Sequence, residues 1–130
     1  MLFKNANIFV NGAFQYGAFR VVDGKFTEIL TTIPADEGID LEGQYVIPGL
    51  VDVHNHGNSN ADFSDGDYEG VKAMAAYQAS CGVTSFAPAS MTLPYETLDA
   101  AFRVAARFHK DAPAGHSRLM GIQMEGPFFS

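Results

Sequence analysis

The stretch VIPGLVDVHNHG, residues 46–57, decides how the chain is read. Pro48 and Gly49 interrupt what precedes them, and Leu50, Val51 and Val53 then make an apolar run of strand length. The run ends in two histidines one residue apart, His54 and His56. Residues two apart in a strand face the same side. Asp52, His54 and His56 are therefore expected to project together, with Val51, Val53 and Asn55 projecting oppositely. A His-x-His at a strand end reads equally well as two metal ligands or as a polar edge bonded to a loop, and the strand alone does not decide.

Downstream, strands and helices alternate. After the polar loop GNSNADFSDGD comes YEGVKAMAAYQASCG, in which Val71, Met74, Ala75 and Ala79 share a helical face and Gly82 suits the C-terminal cap. VTSFAPAS reads as a second strand. A second helix is expected from near Pro94, with Leu98, Ala101, Phe102 and Ala105 spaced i, i+3, i+4, i+7. Its acidic residues come early (Glu96, Asp99) and its basic ones late (Arg103, Arg107, Lys110), as the helix dipole favours. RLMGIQMEGPF, residues 118–128, reads as a third strand ending in a turn. Such alternation implies a parallel sheet, either doubly wound or part of a (β/α)8 barrel.

Upstream, NIFV and AFQY flank Asn11-Gly12, and AFRVV and KFTEI flank Asp23-Gly24. Both dipeptides supply the positive φ angles of two-residue hairpin turns. TTIPADEGIDLEG reads as a loop leading to YVIP. Residues 1–47 are thus expected to form the strands of a small, incomplete β domain, and residues 48–130 the first part of an α/β domain. A barrel needs roughly 250 residues, whereas three strands leave exposed sheet edges. The expectation is the N-terminal portion of a longer enzyme.

Composition narrows the function classes. The net charge of −7 and the absence of a Lys/Arg cluster argue against nucleic acid or an anionic membrane as the main partner. No apolar run approaches the ~18 residues of a membrane span, and a cytosolic location is expected. One cysteine, Cys81, rules out an intrachain disulfide and reads as a small buried hydrophobe at a helix end. His109 reads as a solvated residue near a helix end, His116 carries no signal beyond its type, and the methionines, Met74 and Met124 among them, read as core filler.

In the third strand, Gln123 and Glu125 fall on one face and Ile122 and Met124 on the other. If this strand and that of residues 50–56 are parallel members of one barrel, His54, His56 and Glu125 converge at its C-terminal mouth. Two imidazoles and a carboxylate suit Zn²⁺, with Fe²⁺, Mn²⁺ or Co²⁺ as alternatives. Asp52, deeper on that face, is placed behind the ligands, for example to accept a hydrogen bond from a ligating histidine.

These residues carry a resemblance. DLEGQYVIPGLVDVHNHG resembles the entry into the barrel of the amidohydrolase superfamily, where a small β-sandwich precedes a first barrel strand ending in His-x-His. CGVTSFAPASMT and MGIQMEGPFFS resemble the second strand and the third-strand Glu-Gly-Pro motif of the N-acetylglucosamine-6-phosphate deacetylases. The resemblance implies a metal-dependent hydrolase of amino-sugar metabolism that converts N-acetylglucosamine 6-phosphate and water to glucosamine 6-phosphate and acetate. It implies that Glu125 ligates the principal metal and that His54 and His56 bind a second, so that one or two ions are held. It also implies a small-molecule amino-sugar phosphate as partner and a homodimer in the full-length enzyme. Many members carry His where this chain has Gln123, so contacts near the principal metal differ here. The catalytic aspartate, acting as general base and then acid, and the phosphate-binding residues are expected beyond residue 130. The 130-residue chain alone is expected to be inactive. Other readings are another amidohydrolase, similar to dihydroorotase, hydantoinase or isoaspartyl dipeptidase, and a non-catalytic metal-binding module.

Overall fold

In the computed structural model, which describes residues 1–126 and 128, the chain divides into two units, Met1–Pro48 and Gly49–Ser130. The first is built on an antiparallel meander of β1 (Leu2–Val10), β2 (Ala13–Val22) and β3 (Lys25–Leu30). Its turns are the two expected dipeptides, with φ of 52° and 83° at Asn11 and Gly12 and 50° and 73° at Asp23 and Gly24. Positive φ at both central positions matches the twist of the flanking strands. AFQY and AFRVV form one continuous strand rather than two. Gly17 between them is not a turn but a close approach, since a Cβ there would run into the Leu30 carbonyl. The expected loop of residues 31–43 contains β4 (Ile39–Asp40), and β5 (Tyr45–Val46) follows; both pair parallel with β1. Ala6, Ile8 and Phe19 form the buried core of this unit, with Phe3 stacked on Phe19 at 4.8 Å.

The second unit begins with β6 (Leu50–Asn55), followed by a hairpin of β7 (Gly57–Asn58) and β8 (Ala61–Asp62) and a 3-10 turn, Phe63–Asp65. Residues 57–67 are therefore more ordered than a polar loop, and Phe63 is wholly buried in the core. Helix α1 (Tyr68–Ser80) is capped by Asp67, whose carboxylate accepts from the amides of Glu69 and Gly70. It ends before Gly82, at φ 81°, a left-handed residue that closes helices readily. Then come β9 (Val83–Ser90), α2 (Tyr95–Asp111), β10 (Arg118–Leu119) and β11 (Gln123–Met124). The expected third strand is thus two short segments. Pro94 is the N-cap of α2, one position before the first helical residue.

β6, β10 and β11 all run parallel to β9. β6 and β10 both pair with Ser85 and Phe86, so they occupy opposite edges of β9. Phe63, Val71, Met74, Ala75, Phe86, Ala101, Ala105, Phe108 and Leu119 make one core between this sheet and the two helices. On α1 the buried face carries Gln78, with Ala79 only partly buried. Two further expectations change: Cys81 is exposed because it lies past the buried face as the C-cap of α1, and Met124 is 55% exposed. The His109 ring is not merely solvated, since its Nδ1 donates to the Leu119 carbonyl at 2.7 Å and ties α2 to β10.

Candidate metal centre

The histidines sit where β6 gives way to the hairpin. His54 lies in the strand and His56 just beyond its last residue, Asn55. The pairing of β6 with β9 shifts register between Asp52 and Asn55, so simple alternation fails there. Within this irregular segment Asp52 Oδ1 accepts the backbone N–H of His54 at 3.1 Å, a side chain bonding the chain two residues ahead. Its other oxygen accepts from Gln78 Nε2 on α1 at 3.0 Å. Asp52 therefore supports the histidines through the backbone of His54, and among the described residues its carboxylate bonds neither imidazole.

Despite the irregularity, the imidazoles converge. Their Nε2 atoms are 3.3 Å apart, and Glu125 Oε2, directly after β11, is 3.3 Å from His54 Nε2 and 3.1 Å from His56 Nε2. The Glu125 carbonyl accepts from the Thr92 hydroxyl at 3.4 Å, which fixes the chain that presents the carboxylate. These three side chains keep 50%, 34% and 42% of their surface exposed, so one side of the triangle is open. His56 Nδ1 is buried with no hydrogen-bond partner among the described residues. Gln123 is exposed on β11, one strand position short of Met124 and two from Glu125.

The donor set fits a divalent ion. Zn–N and Zn–O bonds of about 2.0–2.1 Å in a tetrahedron place neighbouring donor atoms about 3.3–3.4 Å apart. The observed edges of 3.1, 3.3 and 3.3 Å match that spacing. Two imidazoles with one carboxylate is a composition typical of metal sites that keep a position open for chemistry. Of the residues singled out in the sequence, the structure brings together His54, His56 and Glu125, and it sets Asp52 behind His54. His109 and His116 lie elsewhere, the latter donating to the Ala114 carbonyl at 2.8 Å. Pro127, Phe129 and Ser130 of the third-strand motif lie outside the described residues.

Sequence reasoning missed Gln78 and Thr92. Gln78 could have been found as the one polar residue continuing the buried spacing of Val71, Met74 and Ala75. Thr92 gives no sequence signal beyond standing just after a strand.

No family model matches the chain. An N-acetylglucosamine-6-phosphate deacetylase from Lysinibacillus sphaericus is 32% identical over 111 residues, covering 83% of this chain and 28% of that protein. An N-acetylgalactosamine-6-phosphate deacetylase from Escherichia coli O157:H7 is 30% identical over 112 residues, covering 85% and 29%. Among solved structures, N-acetylglucosamine-6-phosphate deacetylase from Pasteurella multocida superposes with a TM-score of 0.85 at 27% identity, covering 99% of this chain and 35% of that one. The Mycobacterium smegmatis enzyme, solved in complex with N-acetyl-D-glucosamine-6-phosphate, shares the fold at a TM-score of 0.77 and 22% identity, covering 100% and 33%. The chain spans less than a third of the length of these curated relatives. In sequence and in fold, the chain is a homologue of the N-acetylglucosamine-6-phosphate deacetylases.

Proposed function

We propose that this chain is part of a metal-dependent deacetylase that hydrolyses the acetamide of a 6-phosphorylated N-acetylhexosamine, with N-acetylglucosamine 6-phosphate as first choice. The convergence of His54, His56 and Glu125 at the C-terminal ends of parallel strands carries this reading, because barrel enzymes set their chemistry at that end. The names of the relatives supply the substrate class, and one of them acts on the galacto epimer. In this reading residues 1–47 belong to a β-sandwich and residues 48–130 open a (β/α)8 barrel. The general base, the phosphate-binding residues and the dimer contacts lie in the rest of a longer protein.

His54 and His56 offer neutral nitrogens, and Glu125 adds one negative charge, so the set holds a divalent ion without fully neutralising it. Zn²⁺ is the first candidate, with Fe²⁺, Mn²⁺ and Co²⁺ next. Such an ion supplies Lewis-acid polarisation of a carbonyl oxygen. Glu125 Oε2 faces both imidazoles, so His54, His56 and Glu125 would hold the ion together. The open side of the triangle would face the acetamide, and Asp52 and Thr92 bond the backbone of His54 and Glu125, which present ligands.

Metal analysis of the intact protein tests the site. The His54→Ala/His56→Ala double variant is expected to lose bound metal, and unchanged stoichiometry would rule these histidines out as ligands. Acetate release from N-acetylglucosamine 6-phosphate, its galacto epimer and unphosphorylated N-acetylglucosamine tests the substrate. Equal rates with and without the phosphate would overturn the substrate class.

A further inference from the structure

We propose that Gln78 is a positioning residue for the histidine pair, acting through Asp52; the inference rests on the reading of His54 and His56 as metal ligands. Gln78 lies on the buried face of α1 and is only 4% exposed, unusual burial for a primary amide. Its Nε2 donates to Asp52 Oδ2 at 3.0 Å, and Asp52 Oδ1 accepts the His54 amide at 3.1 Å. A three-membered relay thus runs from the core face of a helix to the backbone of the first histidine. It meets the strand where the ladder to β9 loses its regular register, between Asp52 and Asn55. Where a strand's ladder is disrupted in this way, fewer cross-strand hydrogen bonds fix the direction of its side chains. With the relay, His54 is turned so that its Nε2 comes within 3.3 Å of that of His56, the two rings standing at 80° to each other.

Gln78 is suited to this task in a way that Leu or Met at the same helical position is not. Asp52 is half-buried, and each of its carboxylate oxygens receives a donor, one from the strand and one from the helix. The neutral amide supplies the second without adding charge. Gln78 Oε1, also buried, has no partner among the described residues, so the side chain is held there by its donor end. The relay makes the geometry of the ligands depend on how α1 seats against β6.

The test measures Zn²⁺ affinity of the intact protein by competition with a chromophoric chelator, and the Co²⁺ absorption spectrum as a signature of coordination geometry. Gln78→Glu sets two carboxylates face to face, and it is expected to weaken Zn²⁺ binding at the histidine site about tenfold, the lower end of the ~10–100-fold range for groups that orient ligands. Asp52→Asn in that background restores a donor facing an acceptor, while its carbonyl still takes the His54 amide, and it is expected to recover most of the affinity and the Co²⁺ spectrum. Gln78→Met, which keeps the volume, is expected to weaken binding in the parent but add nothing in an Asp52→Ala background. Additive losses, or no recovery when Gln78→Glu is combined with Asp52→Asn, would overturn the inference. So would unchanged affinity in the Gln78 variants when His54→Ala/His56→Ala abolishes binding. If that histidine variant itself keeps its metal, the underlying reading of the site fails instead, and the two failures are told apart.

Discussion

Gly57 follows His56 directly, and its backbone comes so close to the neighbouring strand of its hairpin that a Cβ there would collide with the Ala61 carbonyl. The obstacle is backbone, not the end of a flexible side chain, so the hairpin itself must move to admit a methyl group. Gly57→Ala is therefore expected to cost about 1–3 kcal/mol, the range for overpacking. The urea midpoint should fall while the slope stays fixed, and metal content at the histidine pair should fall with it. An unshifted midpoint would show that the hairpin yields freely. At this scale the sequence was partly legible. The residue types at 54, 56 and 125 pointed to a ligand set, because few side chains donate to a divalent ion. Asp52 was expected behind the ligands, and it accepts from His54 through that residue's backbone N–H rather than its ring, at a point where the strand's register shifts and period-two counting no longer applies. Gly57, in turn, opens what reads in sequence as a polar loop, and only the fold reveals the close approach.

The two helices are joined at opposite ends of their sequences. The Tyr68 hydroxyl, at the start of α1, donates to Asp111 Oδ2 at the end of α2 at 2.8 Å, and the Arg107 guanidinium lies over the Tyr68 ring at 4.2 Å. The hydrogen bond to Asp111 is the chief reason the phenol is held above its usual pKa, with burial and the Asp111 charge adding to it. The sign follows from linkage. A folded-state pKa raised above the unfolded value of about 10 gives a contribution that is present below pH ~10 and is lost as the pH rises through the folded value. Tyr68→Phe is expected to lower thermal stability at pH 8 and to narrow its deficit against the parent above pH ~10. Melting curves at several alkaline pH values check this, and a constant difference would sink the assignment. Helix existence, faces and dipole order were all visible from apolar spacing and charge placement. The short strand β4 was not, and β10 and β11 were read as one continuous strand, since two-residue ladders leave no period to count. Phe63 was hidden for another reason: it sits among Asp, Ser and Gly, and only the 3-10 turn capped by Asp62 delivers it to the core.

In the second unit the parallel sheet is covered by α1 and α2 on one face. On β6, Leu50, Val51 and Val53 are 53%, 59% and 63% exposed, and Met120 and Met124 at the other edge are 60% and 55%. Purely parallel sheets are ordinarily covered on both faces, and an open apolar face drives association. The 130-residue chain prepared by itself is expected to bind a hydrophobic dye and to sediment as species larger than a monomer. Val51→Ser/Val53→Ser should shift it toward monomer, and a monodisperse parent that binds no dye would contradict this. The strand-helix alternation was legible from Pro48 onward. The order of the strands has one more consequence, in time rather than in space. His54 and His56 precede Glu125 by about seventy residues, which at roughly 5–20 residues per second of synthesis is between about 4 and about 14 seconds. β9, the strand between their strands, is made in that interval and must be seated before the carboxylate can arrive beside the imidazoles. A nascent chain thus carries its histidine pair unfinished for seconds, and the triangle that suits a divalent ion closes only after β9 and the strand that follows it have been made.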